Sequence, residues 1–141
     1  MPIQVQGCTV ADADDMAINN MAAFFTDTTW VLNWEGKSLE TVTANAKMRA
    51  PWNLLKNRDT ERHIKAIDPD TGRLLGYAKW TLPERCKGEW LGAQVPDVSK
   101  EDKLRYLETY GAADWVTRSV SSPLGASKGL RRGVTADFQV P

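Results

Sequence analysis

The chain predicts a small, mostly antiparallel sheet with helices packed on it, an α/β fold of the α+β kind. Two observations carry that prediction. Across Arg62–Leu82, Ile64, Ala66, Leu74, Gly76, Ala78, Trp80 and Leu82 occupy even positions, while His63, Lys65, Arg73, Lys79 and Thr81 fall mostly on the other face. Period-two alternation on both sides of a turn is the pattern of a half-buried antiparallel ribbon. Ahead of it, Ala13, Met16, Ala17, Met21, Phe24 and Phe25 recur at three- and four-residue intervals, the stripe of an amphipathic helix.

Taken in order, Pro2–Val5 opens as a short strand, reaching about Gln6. A first helix follows over Thr9–Phe25, with Thr9 as N-cap and Asp12, Asp14 and Asp15 crowding its positive end. The run Thr26–Thr29 breaks it, and Trp30–Gly36 reads as an aromatic loop or single turn. Ser38 caps a second helix through Leu39, Val42, Ala46 and Arg49, which Pro51 is expected to end or kink near Ala50. A short continuation over Trp52–Lys56 leads to the hairpin. There Pro69 presets φ, Asp70 bonds locally and Gly72 accepts a left-handed conformation. The even-numbered face, Trp80 included, is expected to be core. After a loop, Ser99 caps a helix from about Lys100 to Tyr110 or somewhat beyond. Composition then turns to Ser, Gly and basic residues. Residues 1–118 are therefore read as one ordered unit and residues 119–141 as a poorly ordered tail.

Composition narrows the function classes. At 141 residues the chain is one domain, and 18 basic residues balance 18 acidic ones. A chain without a net positive field is a poor binder of nucleic acid phosphates. No apolar run approaches the ~20 residues of a membrane span, and no secretory leader pattern opens the chain. Cys8 and Cys86 stand apart, without metal-ligand spacing; one bridge is conceivable, but reduced thiols in a cytoplasmic protein are expected.

The sequence of a strand, Thr9-Val10-Ala11-Asp12, Ala22-Ala23-Phe24, a second helix, and Lys65-Ala66-Ile67-Asp68-Pro69-Asp70-Thr71-Gly72-Arg73-Leu74-Leu75-Gly76-Tyr77-Ala78-Lys79-Trp80 resembles the N-terminal half of GNAT-family N-acetyltransferases. The likeness is greatest to the divergent forms of filamentous fungi, and it covers Met1 to about Trp115. It implies a GNAT-like partial fold and, for a complete member, attack of a neutral amine on acetyl-CoA. It also implies that the first two helices and their connection line the acceptor side. Phe25, Trp30, Trp34 and Tyr77 are the substrate-binding candidates on that basis, for a small-molecule amine.

The family's pyrophosphate cradle is a glycine-rich turn opening a helix, where unpaired N–H groups attract phosphate. Only Leu130-Arg131-Arg132-Gly133-Val134-Thr135 approaches it, with Leu130 and Thr135 at positions where the family has other residues. No cofactor-binding residue is assigned there. Acetyl-CoA is implied by resemblance alone and is not expected to bind this chain unaided, so catalysis is expected to be impaired or absent. A sheet that stops here leaves an open edge along Arg73–Leu82, which predicts self-association, a covering partner, or the Lys100–Tyr110 helix folded over it.

Other candidates have plainer explanations. His63, the only histidine, is expected to be exposed on the polar face with no Ser, Cys or Asp at motif spacing. Turn roles account for Asp68 and Asp70, and a solvated helix start accounts for Asp12, Asp14 and Asp15. Tyr77 and Glu89 could form a proton relay, but nothing in the pattern selects them, and the catalytic base stays unassigned. The second class of function is a non-catalytic small α/β binding or interaction protein.

Overall fold

The computed structural model describes residues 2–114. The tail and its Leu130–Thr135 segment, like Trp115, lie outside the described residues. The fold is mixed α+β, with three helices and a three-stranded antiparallel sheet among the described residues. In order come β1 (Gln4–Gly7), α1 (Ala13–Phe24), α2 (Leu39–Leu55), β2 (Glu61–Ile67), β3 (Leu74–Thr81) and α3 (Lys100–Ala112), with short 3-10 turns between them. Among the described residues the sheet order is β1-β2-β3, so β2 is central and β3 is an edge.

Local chemistry explains the boundaries. The Asp12 carboxylate accepts from the Thr9 N–H at 2.8 Å, and Val10–Asp12 forms a 3-10 turn that leads into α1. Ser38 and Ser99 cap α2 and α3, their hydroxyls accepting from the N–H groups of Thr41 and Asp102. Pro51 lies inside α2, which continues to Leu55 rather than ending near Ala50. Burial outweighs the proline penalty, since Leu54 and Leu55 belong to the core. In the hairpin, Gly72 has φ of 70°, and Asp68 accepts from the Asp70 N–H and the Thr71 hydroxyl. Those two bonds, the hydroxyl foremost, hold the Asp68 carboxyl below its ordinary range.

Pairing is Ile64 with Ala78, Ala66 with Gly76, and Val5 with Ala66; a bulge at Ala66/Ile67 shifts the register to pair Ile67 with Leu74. Paired residues share a face, so the alternation read from the sequence is present. Which face is covered is the correction. Helices α1 and α2 pack on the odd-numbered face, over His63 and Tyr77. His63 is only 2% exposed, whereas Trp80 is 53% exposed and Val5 63%. The core holds Cys8, Ala13, Met16, Leu54, Leu55 and Val95. Phe24, expected in the apolar stripe, is exposed. Helix α3 packs on α2, not over the β3 edge.

Part of the even-numbered face is closed by the loop after β3. Arg62 is wholly buried, and its guanidinium donates to the carbonyls of Arg58, Asp59, Glu61, Lys87 and Glu89. Further along, Gly7 lies so near the loop that a Cβ there would sit 2.4 Å from the Gly92 carbonyl oxygen. Trp90 takes a left-handed turn, φ 48°, and sets its ring edge-on to Trp80.

Candidate functional site

Strand β2 begins Glu61-Arg62-His63, and residues two apart on a strand share a face. Glu61 and His63 therefore point together beneath the helices, and both are buried. Tyr77 on β3 stacks on His63 with a ring separation of 6.0 Å. Its hydroxyl lies 3.0 Å from His63 Nδ1, and Glu61 Oε2 lies 3.5 Å from His63 Nε2. The imidazole is thus held between a hydroxyl and a carboxylate. The tautomer protonated on Nε2 suits both neighbours, donating towards Glu61 and accepting from Tyr77.

Charge in the cluster is set by its surroundings. Burial alone would raise the Glu61 carboxyl, but the His63 imidazole, the Lys79 ammonium and Asn57 outweigh it and hold it below its usual range. Lys79 Nζ is 3.3 Å from Glu61 Oε1. Burial, reinforced by Cys8 and Glu61, raises the Tyr77 phenol, which stays a donor. Glu61 Oε2 and His63 Nε2 make no hydrogen bond, so the cluster retains unsatisfied polar capacity.

A cavity of about 150 Å³ opens above this cluster, with His63 and Tyr77 in its wall. Asn20 on α1 and Arg49 and Asn53 on α2 add polar groups, and Met16, Met21 and Leu54 supply apolar wall. Such a volume suits a headgroup of a few heavy atoms rather than a drug-sized ligand, which needs ~300 Å³ or more. The Arg49 guanidinium donates to the Asp114 carbonyl at 3.1 Å, and burial lowers its pKa. A wider hollow of about 790 Å³ lies beside α1 and the hairpin turn, lined by Asp15, Asn19, Thr71 and Arg73 among others. It is open and holds no buried titratable group, so the smaller cavity is the better site.

The four sequence-predicted residues divide. Phe25, Trp30 and Trp34 come together, with Phe25 and Trp30 each near-parallel to Trp34 at 5.9 and 6.0 Å. All three are half-buried. Tyr77 belongs instead to the His63 cluster. Glu89 is exposed on the loop that covers Arg62, so it does not join Tyr77 in a relay. Sequence reasoning missed Glu61, Asn20, Arg49 and Asn53, and misplaced His63. The signal available was the Glu-x-His spacing, which puts a carboxylate beside the only imidazole.

Both cysteines are free thiols. Cys8 is buried, and burial with the Asp12 charge pushes its pKa up to about 12 against a smaller opposing effect of Lys65, which makes it unreactive. Among the described residues no cluster of His, Cys, Asp or Glu is arranged to hold a metal ion. No described helix is long and apolar enough to cross a membrane. No protein-family model, curated protein or solved structure matches the chain.

Proposed function

We propose that this chain is a GNAT-like protein, the acceptor-side half of an N-acetyltransferase-type fold, holding a small neutral amine in the cavity over His63 and Tyr77. The observation that carries the reading is the buried Glu61–His63–Tyr77 line in the wall of that cavity. An amine bound there meets a proton-accepting chain. When the amine nitrogen attacks the carbonyl carbon of an acyl thioester and becomes cationic, its proton passes to the Tyr77 oxygen as the Tyr77 proton moves to His63 Nδ1, and Glu61 stabilises the imidazolium formed. The Arg49 guanidinium in the same wall disfavours an ammonium ion, which selects the neutral amine. Strand order and hairpin also fit the resemblance noted in the sequence.

In this reading the chain works in the cytoplasm and is not expected to acetylate unaided, because only the degenerate Leu130–Thr135 stretch of the sequence approaches the family's glycine-rich phosphate cradle. Acetyl-CoA is the family's cofactor, and calorimetry should find it binding no tighter than millimolar. The acceptor side is tested through the single histidine, whose imidazole signals report directly on the cavity. A panel of small primary amines at high pH should shift the His63 ring resonances, and Asn53→Leu should abolish the shift. No perturbation by any amine at tens of millimolar would sink the reading. Micromolar acetyl-CoA binding with turnover would instead make the chain a competent enzyme.

The alternative, a non-catalytic interaction protein, is favoured by the exposed apolar face of the sheet around Val5 and Trp80.

A further inference from the structure

Strand β3 pairs with β2 on one side and with no described residue on the other. Its bonding direction is fixed by the bond from the Leu82 N–H to the Thr60 carbonyl. Antiparallel pairs alternate between bonded and non-bonded, so even residues of β3 bond inward and odd residues present their N–H and C=O groups outward. Up to the bulge the outward set is Tyr77, Lys79 and Thr81. These groups have no described protein partner, while Leu75, the extra residue at the bulge, takes a long 3.4 Å bond from Asn19 on its carbonyl.

We propose that this edge is an interface between two copies of the chain, joined by antiparallel β3–β3 pairing about a two-fold axis at Ala78. The register follows from the side chains. With Ala78 opposite its own copy, each Trp80 lies opposite a Gly76, and each Lys79 lies opposite a Tyr77. The largest side chain on the strand thus faces the residue with none, and small Ala78 sits at a non-bonded position, where the strands approach most closely. The neighbouring registers fail on specific contacts. Centring on Lys79 sets two ammonium groups against each other. Centring on Tyr77 sets Trp80 against Leu74, whose side chain packs into the helix-side core.

The second copy, rather than another occupant, is selected by this self-matching and by charge. The apolar face flanking the edge carries Val5, Ile64, Ala66, Ala78 and Trp80, with no charged side chain outside the buried Arg62. Two copies joined at the edge extend that face into one six-stranded surface without opposing like charges. The loop over Arg62 runs back towards β1, its second turn contacting β2 and β1, and it meets β3 through Trp90, which stands edge-on to Trp80. Nothing in the pairing depends on the amine site.

Sedimentation of the full chain tests the pairing without a mutation. A concentration-dependent monomer–dimer equilibrium is expected, and a strict monomer at millimolar concentration overturns the proposal in favour of a different cover for the edge. The register is tested by charge swapping at the axis. Ala78→Lys and Ala78→Glu should each be folded monomers, and an equimolar mixture should recover a heterodimer. In a Cys86→Ser background, Ala78→Cys should oxidise to a disulfide-linked dimer, because only a residue on the axis meets itself. Thr81→Cys, which opposes Leu75, should not. Equal cross-linking at both positions, or dimers of Ala78→Lys alone, would refute this register.

Discussion

The two faces of the sheet invert what their composition suggests. The odd-numbered face carries Glu61, His63, Lys65, Tyr77 and Lys79, yet lies under α1 and α2 with Glu61 and His63 nearly sealed. The even-numbered face carries Val5, Ile64, Ala66, Ala78 and Trp80, yet stands partly open. The difference teaches that alternation identifies two faces without saying which one the helices cover. A polar face becomes interior when its groups satisfy one another: Lys65 with Asp12 at 2.5 Å, Lys79 with Glu61, and His63 with Tyr77. The apolar face leaves no polar group unsatisfied when it is exposed, and as a contiguous patch it is a surface suited to a partner.

The sharpest way to break this comparison is a pair of alanine substitutions. His63→Ala removes a fully enclosed ring and strands the Tyr77 hydroxyl, so it should cost about 3 kcal/mol in chemical denaturation. Trp80→Ala, measured at a concentration where the chain is monomeric, should cost about 1 kcal/mol or less. The reverse ranking would return the core to the even-numbered face.

A smaller effect comes from high pH. The folded state keeps the Cys8 thiol protonated up to about 12 against an ordinary 9.0, and Tyr77 is raised as well. A raised folded value gives stability that is complete below the unfolded pKa and is lost as pH climbs towards the folded one. Denaturation midpoints should therefore fall above about pH 9, by on the order of 1 kcal/mol for Cys8 after solvent screening. Cys8→Ala should flatten that slope, and an unchanged slope would mean the thiol is not enclosed.

The smallest effect refines the picture at the margin between the faces. Lys79→Ala removes a half-exposed partner of Glu61 and should cost about 0.5 kcal/mol. It should also move the Glu61 carboxyl back up towards its ordinary range, read by carboxyl NMR. No movement would assign the depression to His63 and Asn57 alone.

The hairpin turn is legible because Pro69 and Gly72 act through their own backbones, without help from distant residues, although the local bonds are accepted by the Asp68 carboxylate and not made by that of Asp70. Both serine caps were legible for the same reason. The proline in α2 misled, since its local cost is outweighed by the burial of Leu54 and Leu55, which only the tertiary fold supplies. The candidate site was half legible. Tyr77 enters through the family resemblance and not through any pattern of its own, while the alternation sends His63 to solvent because it equates polar residues with the exposed face. Asn20, Arg49 and Asn53 belong to helices that reach the cavity only through packing, so no local pattern could have gathered them with Glu61.

The buried Arg62 has a consequence for how the molecule opens. Its guanidinium ties the approach to β2 at residues 58–61 to the loop carbonyls at Lys87 and Glu89, across a sequence gap of some 25 residues. That loop has no strand or long helix of its own, so its order is borrowed from tertiary contacts: the Arg62 guanidinium, buried Ala93 and the edge contact of Trp90 with Trp80. Amide hydrogen exchange should therefore show residues 84–93 opening as one cooperative unit, protected or released together. The side chain behaves as a latch between two segments, one that the buried end of the loop at Ala93 reinforces.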